Sequence, residues 1–314
     1  MTVLRADMHV HTCHSRYNDT ISFLGARDCY STPEQVYETA KARGMDLVAV
    51  TDHDSIEGAL ALLETTRNAA DVIVGEEVSC WSPDGRFQVH LGVYGMTESL
   101  HRDIQPLRRN VFDTIACLQE TGVFFCLNHL MHFWQEHVPL EQYLQLLMLV
   151  PALEVRNGTM VPKHNRLSEQ IVADPTFGNA RRLAAVAGSD AHTLRRVGTT
   201  WTEAPGRTRE EFLDSVRRGL GTPGGRDGGA LAASADAYGV IRGYICSLLG
   251  ILPTDHRGVR RVGCLAFAIG SLPFEFLPLL LVSRTKRAER RKVAMLETAL
   301  SERRSTLTTM DLTA

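Results

Sequence analysis

The sequence predicts an α/β protein whose sheet comes close to a closed barrel. Short apolar runs alternate with helical patterns through residue 220, as expected for parallel strands joined by crossover helices. About seven such runs can be counted, near the number that closes a barrel. Histidines and acids recur at the downstream ends of these runs, and a parallel barrel gathers those ends on one face.

The runs are VLRADMHVH (3–11), DLVAVTDH (46–53), DVIVGEEVSC (71–80), FQVHLGVYG (87–95), GVFFCLNHL (122–130), ALEVRNG (152–158) and LAAVAGSDAH (183–192). A helix over 32–44 is expected because Pro33 suits a first helical turn and Gly44 a C-terminal cap. Helical patterns also cover 57–70, 101–121, 139–149, 164–174 and 208–219. The composition then shifts. Residues 221–237 are rich in Gly and Ala and read as a linker, and 238–314 as a helical C-terminal extension. The barrel is therefore assigned to residues 1–220.

At 314 residues, 44% hydrophobic and 22% charged, the chain has room for a sizeable core. A net charge of −2 offers no overall attraction for nucleic acid. Seven cysteines without a Cys-x-x-Cys pair argue against a disulfide framework or a zinc ribbon. Arg5 and Asp7 interrupt the N-terminal apolar stretch where a secretory signal would be uniform. Together these features lead to the expectation of a cytoplasmic protein.

Residues 6–15, ADMHVHTCHS, introduce the chemistry. Side chains two apart on a strand share a face, so His9 and His11 point the same way. One buried histidine ordinarily finds a partner and is inert. Here His53, Glu77, His90, His129, Asp190 and His192 fall at comparable strand ends. Six imidazoles and two carboxylates at one mouth suit Zn, Mn or Fe. Eight ligands fit two or three ions better than one, an arrangement suited to displacement at phosphorus.

The set DMHVHT, GMDLVAVTDHDSIEG, GEEVS, VHLGVYG, NH and GSDAH resembles the polymerase-and-histidinol-phosphatase (PHP) family over roughly residues 5–200. The resemblance implies a distorted (β/α)7 barrel. It also implies a hydrolase of phosphoric esters working through a metal-bound hydroxide at a di- or trinuclear site. By the same likeness His9, His11, Glu77 and Asp190 match ligands of a first ion, and Glu77 bridges to a second held by His90 and His129. His53 and His192 match ligands of a third. Asp190, His192 and His53 are the catalytic candidates. Glu77 rather than Glu76 fits the family's Gly-x-Glu-x-Ser pattern, and alternation along a strand allows only one of the two to point inward.

One departure stands out. Many relatives carry a further Asp after the His-x-His motif, whereas here the stretch reads HTCHSRYND and an insertion precedes CYSTPEQV. Asp28, Asp19 or His14 could supply that ligand, and Asp28 is preferred. Asp7, Asp52 and Asp54 are expected to orient ligands or cap helices, and Asn157 to hold its loop. His132 and His137 are rim residues at most. Arg16, Arg156, Arg195 and Arg196 are candidate phosphate contacts, since guanidinium matches phosphate oxygens. The expected partner is a small phosphorylated substrate, with nucleic acid the less favoured alternative and a metal-stabilised scaffold a non-catalytic one.

Residues 262–283 are long enough to span a bilayer of about 20 residues. They include Pro273, Glu275 and Pro278, and basic residues lie on both sides. A buried helical hairpin or self-association is the favoured expectation, with membrane attachment as the alternative.

Overall fold

The computed structural model describes residues 2–15, 24–66, 68–130, 140–175 and 183–311. The strands are β1 (Val3–Val10), β2 (Leu47–Val50), β3 (Val72–Trp81), β4 (Gln88–Tyr94), β5 (Phe124–Leu127), β6 (Ala152–Asn157), β7 (Ala184–Gly188), β8 (Thr200–Pro205) and β9 (Thr222–Gly225). They hydrogen-bond in the order β7-β6-β5-β4-β3-β2-β1-β8-β9. The sheet curls until the downstream ends of β7 and β1 meet: Val10 pairs with Ala191, the His11 amide donates to the Ala191 carbonyl at 3.0 Å, and the Asp190 amide donates to the His9 carbonyl at 2.7 Å. Gly188 makes the closure possible, because a Cβ there would strike the His9 backbone. The result is the nearly closed, barrel-like α/β sheet with C-terminal helices that the motifs imply.

The sheet is mixed rather than wholly parallel. β4 runs antiparallel to both β3 and β5, and β8 runs antiparallel to β1. Residues 82–87 leave no room for a crossover helix between β3 and β4, since parallel neighbours need a dozen residues or more. The chain instead turns back, with the Ser82 amide donating to the Phe87 carbonyl at 2.9 Å. This reversal brings the upstream end of β4, with His90, to the mouth where the other strands end. β8 shows a clean alternation of buried and half-buried residues, a strand signal that the helical pattern beside it obscured.

The helices are α1 (Pro33–Ala42), α2 (Glu57–Thr65), α3 (Glu98–Ile104), α4 (Val111–Thr121), α5 (Leu140–Leu149), α6 (Pro162–Ala173), α7 (Arg209–Ser215), α8 (Ala230–Leu249), α9 (Gly258–Gly270) and α10 (Leu277–Asp311). α1 starts as its sequence dictates: Thr32 accepts from the Gln35 amide, Gln35 reaches back to the Thr32 amide, and Pro33 takes the first turn. Gly44 follows with φ +80°, a conformation that a side chain would strain. The pattern over 101–121 is broken at 105–110, where Asn110 ends one helical segment and caps the next by accepting from the Phe112 amide.

The stretch 221–237 is not a linker. It holds β9, paired to β8, and the first turns of α8. Glycine permits this because Gly224 lies flat against the Trp201 ring and Gly225 against the Thr199–Thr200 backbone. The extension is likewise fastened to the barrel. Val293, Leu296 and Leu300 of α10 are buried in the main core with Leu167 and Ile171 of α6, and Glu289 accepts from the Val161 amide at 2.8 Å. α8 and α9 pack on the 24–30 loop through Tyr244, Leu248 and Cys264. The Tyr244 hydroxyl donates to the Leu24 carbonyl at 3.1 Å, His256 Nε2 lies 2.7 Å from the same oxygen, and Arg27 pairs with Asp255 at 2.7 Å.

Leu296 is 2% exposed, so Leu296→Ala is expected to destabilise the whole domain by about 2–5 kcal/mol. Denaturant unfolding should give one cooperative transition shifted by that amount, whereas a separately folding extension would leave the barrel's transition in place.

Candidate metal centre

Eight histidine and acidic side chains from β1, β3, β4 and the segments that follow β1, β2, β5 and β7, together with Asp28, converge at the mouth. Glu77 of β3 sits at the centre and is fully buried. Its Oε1 lies 2.9 Å from His129 Nε2 and 3.1 Å from His90 Nδ1. Its Oε2 lies 3.0 Å from His9 Nε2, 3.3 Å from His11 Nε2 and 3.2 Å from His53 Nδ1. Asp190 Oδ1 stands 3.6 Å from His9 Nε2 and 3.4 Å from His11 Nε2. Asp28 reaches in from the 24–30 loop, its Oδ2 lying 2.6 Å from His192 Nε2 and 3.4 Å from His53 Nε2.

Four overlapping groups could each hold a cation: His9, His11 and Asp190; His9, Glu77 and His129; His53, Glu77 and His90; and His11, Asp28, His53 and His192. His9 Nε2, His11 Nε2 and Glu77 Oε2 are buried and make no hydrogen bond of good geometry, although they face one another. Such a convergence without hydrogen bonds suits donors at roughly 2.0–2.2 Å from a shared ion. The donor set, imidazole and carboxylate without thiolate, suits Zn, Mn or Fe.

Surrounding residues fix how the donors point. His9 Nδ1 lies 2.9 Å from Glu154 Oε1 and His11 Nδ1 lies 3.1 Å from Ser15 Oγ, so each ring turns its Nε2 to the centre. His192 Nδ1 faces the Asp190 carbonyl at 3.1 Å, leaving Nε2 for Asp28. Asn128 donates to Glu77 Oε1 at 2.9 Å. Asp190 Oδ2 accepts from Thr159 at 2.8 Å and Asn157 at 3.2 Å, which directs Oδ1 inward. His129 and Asp190 both adopt positive φ, 23° and 51°. For residues with side chains this is a strained backbone, held here by the Glu154 carboxylate on the His129 amide and the His9 carbonyl on the Asp190 amide.

Burial disfavours charge throughout the cluster, but the opposite charges outweigh it for most members. Glu77 stays well below the ordinary carboxylate range because His9, His90 and His53 surround it, and Asp190 and Asp28 are lowered in the same way. Against its own desolvation, His53 is raised to about 9 by Glu77 and Asp28, and His192 to about 10 by Asp28 and Asp190. His90 goes the other way, to about 4, because desolvation dominates there.

Some sequence expectations fall elsewhere. Arg156 is turned to the outer side by a bulge after Glu154 and pairs with Glu169 of α6 at 2.8 Å. Arg196 is buried against Asp236 at 2.9 Å and the Gly158 carbonyl, so neither guanidinium reaches the cluster. Arg195 is exposed, three residues after His192. Arg16, Asp19, His132 and His137 lie outside the described residues. His14 points to Glu57, 3.8 Å away, rather than into the cluster. Glu76 faces outward to His101 at 2.7 Å.

Asp7 does not orient the His9 ring. Its carboxylate accepts from the Ser189 and Gly198 amides at 2.8 and 2.7 Å, tying β1 to the loop that bears Asp190, and burial raises its pKa to about 6. Asp52 holds the turn after His11 by accepting from Thr12 and Ser15, while Asp54 accepts from the Ser79 amide and pairs with Arg108. Glu154, Asn128 and Thr159 were not anticipated. Glu154 could have been noticed as the one charge inside the apolar run ALEV.

Residues 175–220 match the family described as PHP-associated. Over 122 residues the chain is 30% identical to an uncharacterized protein of Methanocaldococcus jannaschii, a match covering 38% of this chain and 63% of that one. The chain thus spans less than two thirds of that relative's length. Solved structures with a similar fold include a Bacteroides vulgatus two-domain protein containing a predicted PHP-like metal-dependent phosphoesterase (16% identity, 78% of this chain and 69% of that one, TM-score 0.47). A lesion-specific endonuclease of Pyrococcus furiosus is another (17% identity, 71% of this chain and 57% of that one, TM-score 0.47). The matched segment contains β7 and the Gly-Ser-Asp-Ala-His loop. With these motifs in order along a barrel-like sheet that gathers their histidines and acids at one mouth, the chain resembles the PHP domain family, and residues 175–220 carry the match to its associated segment.

Proposed function

We propose that the protein is a metal-dependent phosphoesterase that hydrolyses the ester of a small phosphorylated substrate at a site holding two or three divalent ions. One observation carries it: Glu77 turns both carboxylate oxygens to imidazoles from different strands, His90 and His129 on one side and His9, His11 and His53 on the other. A carboxylate in that position suits a bridge between cations. His9, His11 and Asp190 would hold one ion, Glu77 with His90 and His129 a second, and Asp28, His53 and His192 a third.

Divalent ions bound there would supply Lewis-acid charge on phosphoryl oxygens and lower the pKa of a water molecule. The chain does the rest. Glu154, Ser15, Asn128 and Thr159 keep the donors aimed without reorganisation. Burial at the base of the mouth excludes bulk water and strengthens every charge interaction within it. Arg195, exposed beside the Asp190–His192 loop, is the remaining described candidate for contact with a substrate phosphate.

Purified protein supplied with Mn²⁺ should turn over small phosphomonoesters, and chelation should abolish the activity. Asp190→Ala should lower the rate at least about 100-fold, a loss of several kcal/mol of charge stabilisation, while metal analysis still finds ions at the other groups. Turnover confined to nucleotides or single-stranded oligonucleotides would redirect the substrate class, and no turnover of any phosphoester by metal-loaded protein would overturn the proposal.

Asp28→Asn should remove one ion per chain by metal analysis and leave the others bound. Retention of the wild-type ion count would exclude Asp28 as a ligand.

His53 and His192, with pKa values near 9 and 10, carry protons at neutral pH in the metal-free protein. Imidazoles must shed those protons to bind a cation. Metal titration near neutral pH should therefore release protons, seen by calorimetry as a heat that scales with buffer ionisation enthalpy. Release should shrink as pH rises through 9–10.

A further inference from the structure

α9 and α10 meet in an elbow. The helix over Gly258–Gly270 and the segment from Leu272 to Glu302 are bent by 51°, and neither helix alone is long and apolar enough to cross a membrane. Between Val262 and Ser283 the only charged residue is Glu275. Large apolar side chains here face outward: Ile269 is 66% exposed, Phe274 59%, Leu272 57%, Leu280 55% and Phe267 53%. Soluble monomers seldom leave so many neighbouring apolar side chains in water, and such patches mark interaction surfaces. The burial of Val293, Leu296 and Leu300 further along α10 means that the elbow is anchored at its base and uncovered at its tip.

The surrounding charge says what covers it. Residues 257–292 carry nine Arg and Lys against two Glu. Arg257 and Arg260 are exposed before the apolar stretch, and Arg284, Arg287, Arg290 and Arg291 after it. An apolar tip flanked on both sides by cations is complementary to a bilayer with anionic headgroups: acyl chains take the phenylalanines and leucines, and phosphates take the arginines. A second copy of the chain fits less well, because a two-fold pairing would set the two cation clusters against each other.

We propose that the α9–α10 elbow is a docking surface for a lipid bilayer bearing anionic headgroups. This inference is independent of the proposed hydrolysis. It has a consequence for the mouth, however, since α8 and α9 also grip the loop that carries Asp28.

The test uses the purified full chain in flotation with phosphatidylcholine vesicles, with and without phosphatidylglycerol. The protein should float with the mixed vesicles and bind phosphatidylcholine alone far more weakly. Phe267→Glu combined with Leu280→Glu alters side chains already in water, so the melting temperature should hold while vesicle binding drops roughly tenfold or more. Neutralising Arg287, Arg290 and Arg291 to Gln should weaken binding about fivefold per charge, and added salt should act in the same direction. Wild-type protein that stays at the bottom of the gradient, or floats equally well after the Glu substitutions, would overturn the proposal. So would a dimer by light scattering that the Glu substitutions dissociate, without flotation of the wild type; that outcome would assign the elbow to a second copy.

Discussion

A carboxylate with no solvent access, Glu77, sits among five imidazoles, and the barrel's upper layer is arranged around that fact. An uncompensated charge at such a depth would be very costly. Compensation here comes from histidines delivered by β1, by the segments after β2 and β5, and by β4. The strand ends must therefore stay in register for the carboxylate to remain ionised. The β1–β7 closure at Gly188 is one consequence, because the loop that brings Asp190 to the same place follows β7 directly.

The arrangement persists because a second layer of polar groups leaves the donors little freedom. Glu154 serves three partners, the His9 ring, the His129 amide and Asn157. It thereby couples ring orientation on β1 to the strained backbone of His129. Asp7 and Asp52 act on backbone rather than on rings, locking the turns after β7 and β1. A site of this kind keeps its donors aimed before any ligand arrives, which is where electrostatic catalysis draws its advantage. The cost is a concentration of buried charge and positive φ at the mouth, offset by the apolar cores around it.

The C-terminal helices belong to this economy as well. α10 contributes to the main core, while α8 and α9 cover the 24–30 loop and so set where Asp28 lies. In this chain the residue that faces His53 and His192 comes from the 24–30 loop, and a loop without regular structure needs a surface to settle against. The extension supplies one, through Tyr244, His256 and the Arg27–Asp255 pair.

The sequence by itself determined the local matters. Period-two alternation put His9 with His11 and opposed Glu77 to Glu76, Thr-Pro-Glu-Gln started α1, and alternating apolar and helical stretches identified an α/β sheet. Direction, closure and the fate of the arginines were decided only in three dimensions. Whether β4 runs with or against its neighbours depends on pairing between strands, and a bulge of one residue is enough to send Arg156 to Glu169 instead of the mouth. The Gly- and Ala-rich stretch before α8 read as a linker because small residues look unstructured in isolation. Packed against Trp201 and the Thr199–Thr200 backbone, the same absence of side chains is what lets it join the sheet.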